Sequence, residues 1–241
     1  MNITPVAIAR NGFTDKFGIP RQSREESCIE TRIVFEPDFR VREALRGIEG
    51  YSHLWLIWGF SRCAIHNAQS ATGIGETPDW SPTVRPPRLG GNVRMGVFAT
   101  RSPFRPNALG LSSVRLLRIE DTTRDGLVLV VSGADLLDGT PIYDIKPYLS
   151  YSDSHSEARN GFSEATSNYH LAVDVSTDVL ESALAQGCPW QALQEILSQD
   201  PRPAYQHDLI RVYHLDYASW TVSFRVENDI LRVETLQKKK D

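Results

Sequence analysis

The sequence predicts a mainly β protein, with a barrel or a sandwich in its first part and a small α+β unit after it. Short runs rich in β-branched and aromatic residues dominate residues 1–150, and turns rich in proline and glycine separate them. Only one short stretch there has the composition and end signals of a helix. Many strands with few helices favour a barrel or a sandwich.

Seven strands and one helix are predicted in the first part. Tyr51–Phe60 is too apolar to alternate, so we expect a strand buried on both faces. Asp38 can cap a short helix, Phe39–Arg46, which ends at Gly47. The other predicted strands are Ile3–Ala9, Thr31–Phe35, Met95–Thr100, Gly110–Ile119, Gly126–Ser132 and Ile142–Ile145.

The composition changes near residue 150, where a polar stretch, Ser150–Ser167, indicates a linker or a long loop. We therefore divide the chain into a domain of residues 1–150 and a linker with a small α+β domain, residues 151–241. The predicted elements of the second domain are a strand at Tyr169–Val175, helices at Thr177–Gln186 and Pro189–Gln199, and a meander of strands at Ile210–Leu215, Trp220–Val226 and Ile230–Leu236.

Composition excludes several classes of protein. The three cysteines are scattered without a C-x-x-C pair, which favours a reducing cytoplasm over a disulfide framework or a zinc site. The longest apolar run, Leu54–Phe60, is too short to cross a bilayer, and the start has no signal-peptide pattern. The net charge of −4 hides an asymmetry: residues 1–119 hold 16 basic and 10 acidic side chains, and residues 120–241 hold 10 and 20. A local basic face can still attract an anionic partner.

The most unusual stretch, which we call the arginine segment, is Ser81–Ile119. It contains seven arginines and no Asp, Glu or Lys, among many prolines and glycines. Arginine presents a fixed fork of donors that suits phosphate and carboxylate groups. Proline and glycine hold backbone in irregular shapes. A merely solvated loop would usually mix Lys, Glu and Asp, so the segment indicates a rigid loop that presents cations to an anionic ligand.

Several motifs of well-known enzymes are missing. The chain has no G-x-x-x-x-G-K-[ST] phosphate loop, no G-x-G-x-x-G fingerprint after a strand and no G-x-S-x-G elbow. A Rossmann methyltransferase is therefore unsupported. The histidines lack the H-x-x-x-H spacing of metal ligands, so no metal is expected.

Five long motifs follow one another in the first domain. They are GIPRQ at 18–22, YSHLWLIWGF at 51–60, RPPRLGGN at 85–92, GVFATRSPFRPNALGLS at 96–112 and DLLDGTPIYDIKPY at 135–148. In this order they resemble the family of tRNA adenosine N6-methyltransferases that act on threonylcarbamoyladenosine at position 37. DPRPAY at 200–205 resembles the signature of that family's small C-terminal domain.

The resemblance implies a single-sheeted β-barrel that uses S-adenosylmethionine without a Rossmann fold. It also implies a homodimer with the cofactor near the subunit interface, and methylation of N6 mainly in a threonine tRNA. Carried over by motif, the implied cofactor contacts are Pro20, Arg21, Gln22, His66, Asn67, Arg94, Phe104, Asp138, Gly139, Thr140 and Pro141.

If the resemblance holds, electrostatics separates the arginine that binds the cofactor from those that bind RNA. The reactive sulfonium of the cofactor is a cation and would repel a guanidinium beside it. We therefore assign Arg94 to a carboxylate of the cofactor. The candidates for binding RNA or the threonyl carboxylate are Arg85, Arg88, Arg101, Arg105, Arg202 and Tyr205.

The sequence does not identify a catalytic base. His66, Asp138 and Tyr205 are weak candidates, and water could take the proton instead. We expect the DPRPAY motif to reach over the active site, so that deleting residues 160–241 lowers methylation more than cofactor binding. Two other classes stay open: a non-catalytic RNA-binding module, for which the arginine segment would suffice, and a metal-free β-barrel hydrolase, for which no nucleophile–base pair is recognisable.

Overall fold

The protein is mainly β, which confirms the predicted class. A computed structural model describes residues 3–20, 22–24, 26–60, 80–86, 89, 92–166, 169–202, 208 and 210–239. The strands of the described residues are β1 Ala7–Arg10, β2 Glu30–Phe35, β3 His53–Gly59, β4 Thr83–Val84, β5 Met95–Gly96, β6 Leu109–Thr122, β7 Gly126–Ser132, β8 Pro141–Pro147, β9 Ala172–Val175, β10 Tyr213–Tyr217, β11 Trp220–Glu227 and β12 Ile230–Lys238. The α-helices are α1 Ser150–Asp153, α2 Thr177–Ala185 and α3 Trp190–Ser198.

Six strands of the first domain form one sheet that closes on itself. They pair in the order β1-β2-β7-β6-β3-β8, and β8 pairs back with β1 to give a closed barrel. Each of the six pairings is antiparallel. The carboxyl ends of β1, β3 and β7 and the amino ends of β2, β6 and β8 therefore meet at the same end of the barrel. That end carries the loops discussed below.

Strand β3 alternates instead of being buried on both faces. Leu54, Leu56 and Trp58 point into the barrel core, while Trp55 and Ile57 between them are only half-buried. The apolar outward residues suggested a doubly covered strand, but they line a cavity on the outside of the sheet. A run of apolar residues therefore has two physical causes here, a core on one face and a ligand-sized cavity on the other.

The predicted helix at Phe39–Arg46 is wrong. The stretch forms two short 3-10 turns, Pro37–Phe39 and Arg42–Leu45, and Val41 between them has an extended backbone with φ −106° and ψ 115°. Asp38 lies inside the first turn and caps nothing. A helix this short, with its residues mostly exposed, cannot repay the cost of nucleation, so only isolated turns form.

The predicted strand at Met95–Thr100 is also mostly wrong. Only Met95–Gly96 is a strand, and it pairs with Thr83–Val84 in a two-stranded ribbon that lies outside the barrel sheet. Val97–Ala99 turns instead, burying Val97 and leaving Phe98 exposed over 73 % of its surface. The β4–β5 ribbon holds the arginine segment beside the barrel.

The second domain is a four-stranded sheet with two helices. The predicted meander is β10-β11-β12, and β9 joins its edge by pairing in parallel with β12. Asn228 and Asp229 have φ values of 48° and 61°, the left-handed geometry that a two-residue hairpin between β11 and β12 requires. Leu193, Ile196 and Leu197 bury the apolar face of α3 in the core of this domain.

The described residues between β1 and β2 (11–20, 22–24 and 26–29) form a stretch that we call the N-terminal arm, and its apolar side chains pack on the second domain. Phe13 and Ile29 belong to the hydrophobic core of the second domain. The Phe13 ring meets Tyr217 edge-on with centroids 5.0 Å apart, and the Ala218 N–H donates to the Gly12 carbonyl at 2.8 Å. The arm thus ties the end of the barrel to the C-terminal sheet.

A second contact closes the other end of the arm. The backbone N–H of Cys28 donates to the Glu195 carboxylate of α3 at 2.8 Å, and the Cys28 thiol lies 3.1 Å from the same oxygen. Burial and the Glu195 carboxylate raise the pKa of Cys28 to about 11. The thiol therefore stays protonated at neutral pH and serves as a donor. Within the described residues, no helix has the length and apolarity needed to cross a membrane.

Candidate functional site

A cavity of about 680 Å³ opens where the barrel end, the N-terminal arm and the arginine segment meet. Trp55, Ile57 and Leu111 from the outer faces of β3 and β6 form an apolar wall. The polar side chains that line it are Lys16, Gln22, Thr100, Arg101, Arg105, Asp135 and Thr140. A largely apolar cavity with a few convergent polar groups, in this size range, is typical of a small-molecule site.

A buried hydrogen-bond chain leads into this cavity from the barrel core. The Trp58 indole N–H donates to the Ser112 hydroxyl at 2.9 Å, and Ser112 donates to Oδ1 of Asp135 at 2.5 Å. Ser112 is 1 % exposed. Gly110 makes the arrangement possible, because a Cβ at this position would overlap the Trp58 ring. The indole therefore lies flat on β6, and one carboxylate oxygen is fixed.

Asp135 has an unusual environment for a carboxylate. Burial raises its pKa above the ordinary range, while the Ser112 hydrogen bond and the Arg101 charge oppose that rise. The Asp135 carboxylate therefore binds a proton more readily than an exposed carboxylate does. Such a balance is common at functional sites.

Arg101 joins the arginine segment to the N-terminal arm. Its Nη1 donates to Oε1 of Gln22 at 2.5 Å, and both side chains line the cavity. The positive charge of the guanidinium also favours the ionised form of the Asp135 carboxyl, which lowers the pKa of that group. One cation, one amide and one carboxylate from three separate stretches of the chain therefore converge on one space.

The structure brings only some of the predicted cofactor contacts to the cavity. Pro20, Gln22 and Thr140 line it. Arg21, His66 and Asn67 lie outside the described residues. The described predicted contacts that do not line it are Arg94, Phe104, Asp138, Gly139 and Pro141.

The motif at residues 138–141 mostly supports the site instead of facing it. Asp138 accepts a hydrogen bond from the Asn11 backbone N–H at 3.0 Å and pairs with Arg10 at 3.5 Å. Gly139 donates its N–H to the carbonyl of residue 9 and has φ 80°. Only Thr140 lines the cavity, and it is 3 % exposed, with its hydroxyl donated to a backbone carbonyl. Asp138 therefore fixes the turn, and its predicted roles as a cofactor contact and as a candidate base stay predictions.

The predicted cofactor residues Arg94 and Phe104 are both exposed. Arg94 lies next to β5 of the ribbon, where its Nη1 donates to the Thr83 hydroxyl at 3.1 Å. Phe104 is 55 % exposed. Neither side chain lines the cavity of this chain, so a role for either in cofactor binding requires a neighbour or a movement.

Two of the predicted RNA-binding arginines donate hydrogen bonds to nearby groups of the same chain. Arg105 donates from Nη1 to the carbonyl of Thr100 at 2.7 Å and to that of Ser102 at 3.4 Å, which staples its loop. Arg202 is 8 % exposed and makes a two-pronged pair with Asp200 at 2.8 and 2.9 Å. Arg202 therefore stabilises the Asp200 turn and is a poor candidate for contacting RNA.

The remaining predicted RNA contacts are divided between the surface, the cavity and undescribed positions. Arg85 is exposed at the end of β4, and Arg101 lines the cavity. Arg88 and Tyr205 lie outside the described residues. In the part of the chain that the structure describes, no cluster of three His, Cys, Asp or Glu could hold a metal ion.

Sequence reasoning missed Asp135 as a site residue, although it begins the DLLDGTP motif. Its signal is its place in the loop three residues after β7 ends, at the end of the barrel where β3 also ends. Polar residues that follow buried strands are common ligand contacts. The sequence pattern favoured Asp138 as the acidic site residue because it precedes a glycine turn. In the structure, its carboxylate accepts a hydrogen bond from the Asn11 backbone N–H.

Comparisons with known proteins agree on one family. The model of the tRNA-methyltransferase O N-terminal domain matches residues 8–154, and the model of the TrmO C-terminal domain matches residues 169–239. The chain is 36 % identical to the tRNA (adenine(37)-N6)-methyltransferase of Escherichia coli, over 92 % of this chain and 89 % of that protein. It is 40 % identical to a putative S-adenosylmethionine-dependent methyltransferase of Pseudomonas aeruginosa, over 85 % and 83 %. A crystal structure of TrmO from P. aeruginosa superposes with a TM-score of 0.75 at 32 % identity, covering 99 % of this chain and 97 % of that one.

Proposed function

The chain belongs to the tRNA-methyltransferase O family, and we propose that it methylates N6 of threonylcarbamoyladenosine at position 37 of a threonine tRNA, with S-adenosylmethionine as methyl donor. Relatives named as tRNA (adenine(37)-N6)-methyltransferase and as S-adenosylmethionine-dependent methyltransferase support the reaction class. The observation that carries the proposal is the convergence of Gln22, Arg101 and Asp135 on one cavity.

The chemistry of this cavity fits the cofactor. S-adenosylmethionine has an apolar, aromatic adenine, a carboxylate and a sulfonium cation. The wall of Trp55, Ile57 and Leu111 suits the adenine, and Arg101 can pair with a carboxylate. Asp135 places a negative charge in the same space, which favours a cation nearby. The cofactor supplies an electrophilic methyl carbon; the chain must align the acceptor nitrogen with it and keep water out.

The surface beside the cavity suits an anticodon loop. Trp80 and Phe98 stack with centroids 6.4 Å apart, and the Arg105 guanidinium lies 5.9 Å from the centroid of the Phe98 ring. Phe104 and Arg85 are exposed in the same segment. Unstacked bases bind aromatic faces, and phosphates bind arginine, so this surface matches single-stranded RNA.

A homodimer is part of the proposal. Leu109 and Leu111 are 37 % and 53 % exposed, although they border the cavity. Exposed leucines at the mouth of a site are costly to leave in water. A second copy of the chain that covers them would remove this apolar surface from water.

The main competing function is a non-catalytic RNA-binding module. Titration calorimetry with S-adenosylmethionine separates the two, because an RNA-binding module has no reason to bind it. Incubation of the protein with cofactor labelled in its methyl group and with tRNA should then transfer label to the RNA. Binding of tRNA without cofactor affinity or label transfer would favour the module.

We predict that Arg101→Ala weakens S-adenosylmethionine binding by roughly 10- to 100-fold, the worth of a hydrogen bond to a charged group. Arg94→Ala is the matched control, because that arginine lies outside the cavity and should change the affinity much less. Calorimetry on both variants measures this. A larger loss in Arg94→Ala would show that the cofactor carboxylate lies at the ribbon, as the sequence alone suggested.

A further inference from the structure

The proposed reaction releases a proton, and the cavity holds a group that can take it. N6 of threonylcarbamoyladenosine carries a hydrogen that must leave when a methyl group is added. Among the described residues that line the cavity, Asp135 is the only carboxylate, and none of them is a histidine. The base candidate Asp138 is held by Asn11 and Arg10 outside this lining.

Asp135 is positioned as a base needs to be. Ser112 fixes Oδ1 and is itself fixed by Trp58, so the carboxylate is held by buried neighbours and not by solvent. The groups that face it are the Ser112 hydroxyl from β6, the backbone amides of Ser23 in the arm and of Asp135 itself, and the Arg101 guanidinium. These groups favour the ionised carboxylate, and burial outweighs them, so that the pKa of Asp135 is raised and the carboxylate is more basic than an exposed one.

We propose that Asp135 is the proton acceptor of the methyl transfer. This role rests on the proposed function. The lone pair of N6 forms a bond to the methyl carbon, the bond between that carbon and sulfur breaks with its electron pair left on sulfur, and the N6 proton passes to the Asp135 carboxylate. Because the carbamoyl group delocalises the lone pair of N6, removing this proton as the bond forms lowers the barrier.

The groups that surround Asp135 in space explain why a carboxylate serves here. A neutral acceptor such as histidine would leave Arg101 unbalanced beside a sulfonium cation. One carboxylate offsets the Arg101 charge and accepts the proton in the same place. Ser112 then acts as a positioning residue, since it touches Asp135 and not the substrate.

The test is Asp135→Asn, which keeps the shape and removes the base. We expect kcat to fall by roughly 10²- to 10⁴-fold, the usual contribution of general base catalysis. The dissociation constant for S-adenosylmethionine, measured by calorimetry, should rise by no more than about tenfold, the loss expected when one favourable charge near the sulfonium is removed, and so by much less than kcat falls. Asp121→Asn is the matched control. Asp121 lies on β6 outside the lining of the cavity and pairs with Arg42, so this variant should keep the wild-type kcat.

Two further readouts do not require Asp135→Asn to be active. Carbon NMR of the aspartate carboxyls should show Asp135 titrating above the ordinary range in the wild-type protein. Ser112→Ala removes a hydrogen bond that lowers this pKa, so the acid limb of the kcat profile should move to higher pH. Thermal unfolding of each variant verifies that it is folded, and Asp135→Glu, which keeps a carboxyl group, should retain part of the activity.

Three results would overturn the role of Asp135. A wild-type kcat in Asp135→Asn would exclude it as the base. An equal loss of kcat and of cofactor affinity would make Asp135 a cofactor ligand instead. An Asp135 carboxyl that titrates in the ordinary range of an exposed carboxyl would remove the basis of the role. Failure of the proposed function is distinguishable, because the wild-type protein itself would then transfer no methyl group.

Discussion

Replacing Phe13 with Ala is expected to destabilise the protein by about 3–5 kcal/mol, the usual cost of truncating a buried Phe, and to weaken cofactor binding at the same time. Phe13 is 1 % exposed and packs edge-on against Tyr217 in the core of the second domain. Equilibrium unfolding in denaturant measures the first effect, and calorimetry with S-adenosylmethionine measures the second.

The effect on binding follows from where the N-terminal arm leads. Seven residues after Phe13, Pro20 enters the cavity wall, and Gln22 there accepts the hydrogen bond from Arg101. Gly18 between them lies against Leu215 of the second domain. If loosening leaves the arm docked in about a tenth of the molecules, the apparent affinity for the cofactor falls about tenfold.

Phe35→Ala is the matched control. Phe35 is buried in the barrel core and is not part of the arm. It should lose comparable stability but keep the cofactor affinity at temperatures where it is folded. Equal loss of affinity in both variants would mean that general destabilisation, and not the arm, controls the site.

The same packing revises the expectation for a deletion of residues 160–241. The DPRPAY signature suggested that methylation would suffer more than cofactor binding. Deletion would strip Phe13 and Ile29 of their core and remove Glu195, the partner of Cys28. We now expect both properties to be lost together.

Gly133→Ala is expected to cost more than 4 kcal/mol, which is exceptional for a single substitution. Gly133 has φ 79°, where a side chain is strained. A Cβ there would also overlap the carbonyl oxygen of Arg24, and the Arg24 N–H donates to the Gly133 carbonyl at 3.0 Å. The arm and the turn before Asp135 would have to separate. Thermal unfolding and the yield of folded protein report the result.

Gly47→Ala separates the two causes. Gly47 has φ 89°, but nothing lies within 4 Å of a Cβ there. It should cost only about 1–2 kcal/mol, the strain of a left-handed backbone alone. Equal losses at positions 47 and 133 would show that the close approach of the arm contributes nothing.

Sequence reasoning predicted the fold class well because strand signals are local. Gly126–Ser132 and Trp220–Val226 are strands in the structure at or within one residue of the predicted ends, since β-branched and aromatic runs between turn residues determine them. Phe39–Arg46 failed because its helix signals were too short to overcome nucleation.

The site was harder to predict because it depends on contacts between distant residues. Gln22 and Arg101 meet although 79 positions separate them. Local sequence patterns do not show that Phe13 and Ile29 pack in the core of the second domain. The boundary at residue 150, which stays a prediction, therefore places both residues in the first domain. Motif reasoning reached Pro20, Gln22 and Thr140 but chose Asp138, which does not line the cavity and accepts a hydrogen bond from the Asn11 backbone.

The most direct test of the central claim is nucleoside mass spectrometry of tRNA incubated with the protein and S-adenosylmethionine. Two matched threonine tRNAs serve as substrates, one carrying threonylcarbamoyladenosine at position 37 and one carrying plain adenosine. We predict that threonylcarbamoyladenosine gains the mass of one methyl group and that the unmodified tRNA gains none. Methylation of plain adenosine would contradict the proposed substrate, and no methylation of either tRNA by folded protein would contradict the proposed function.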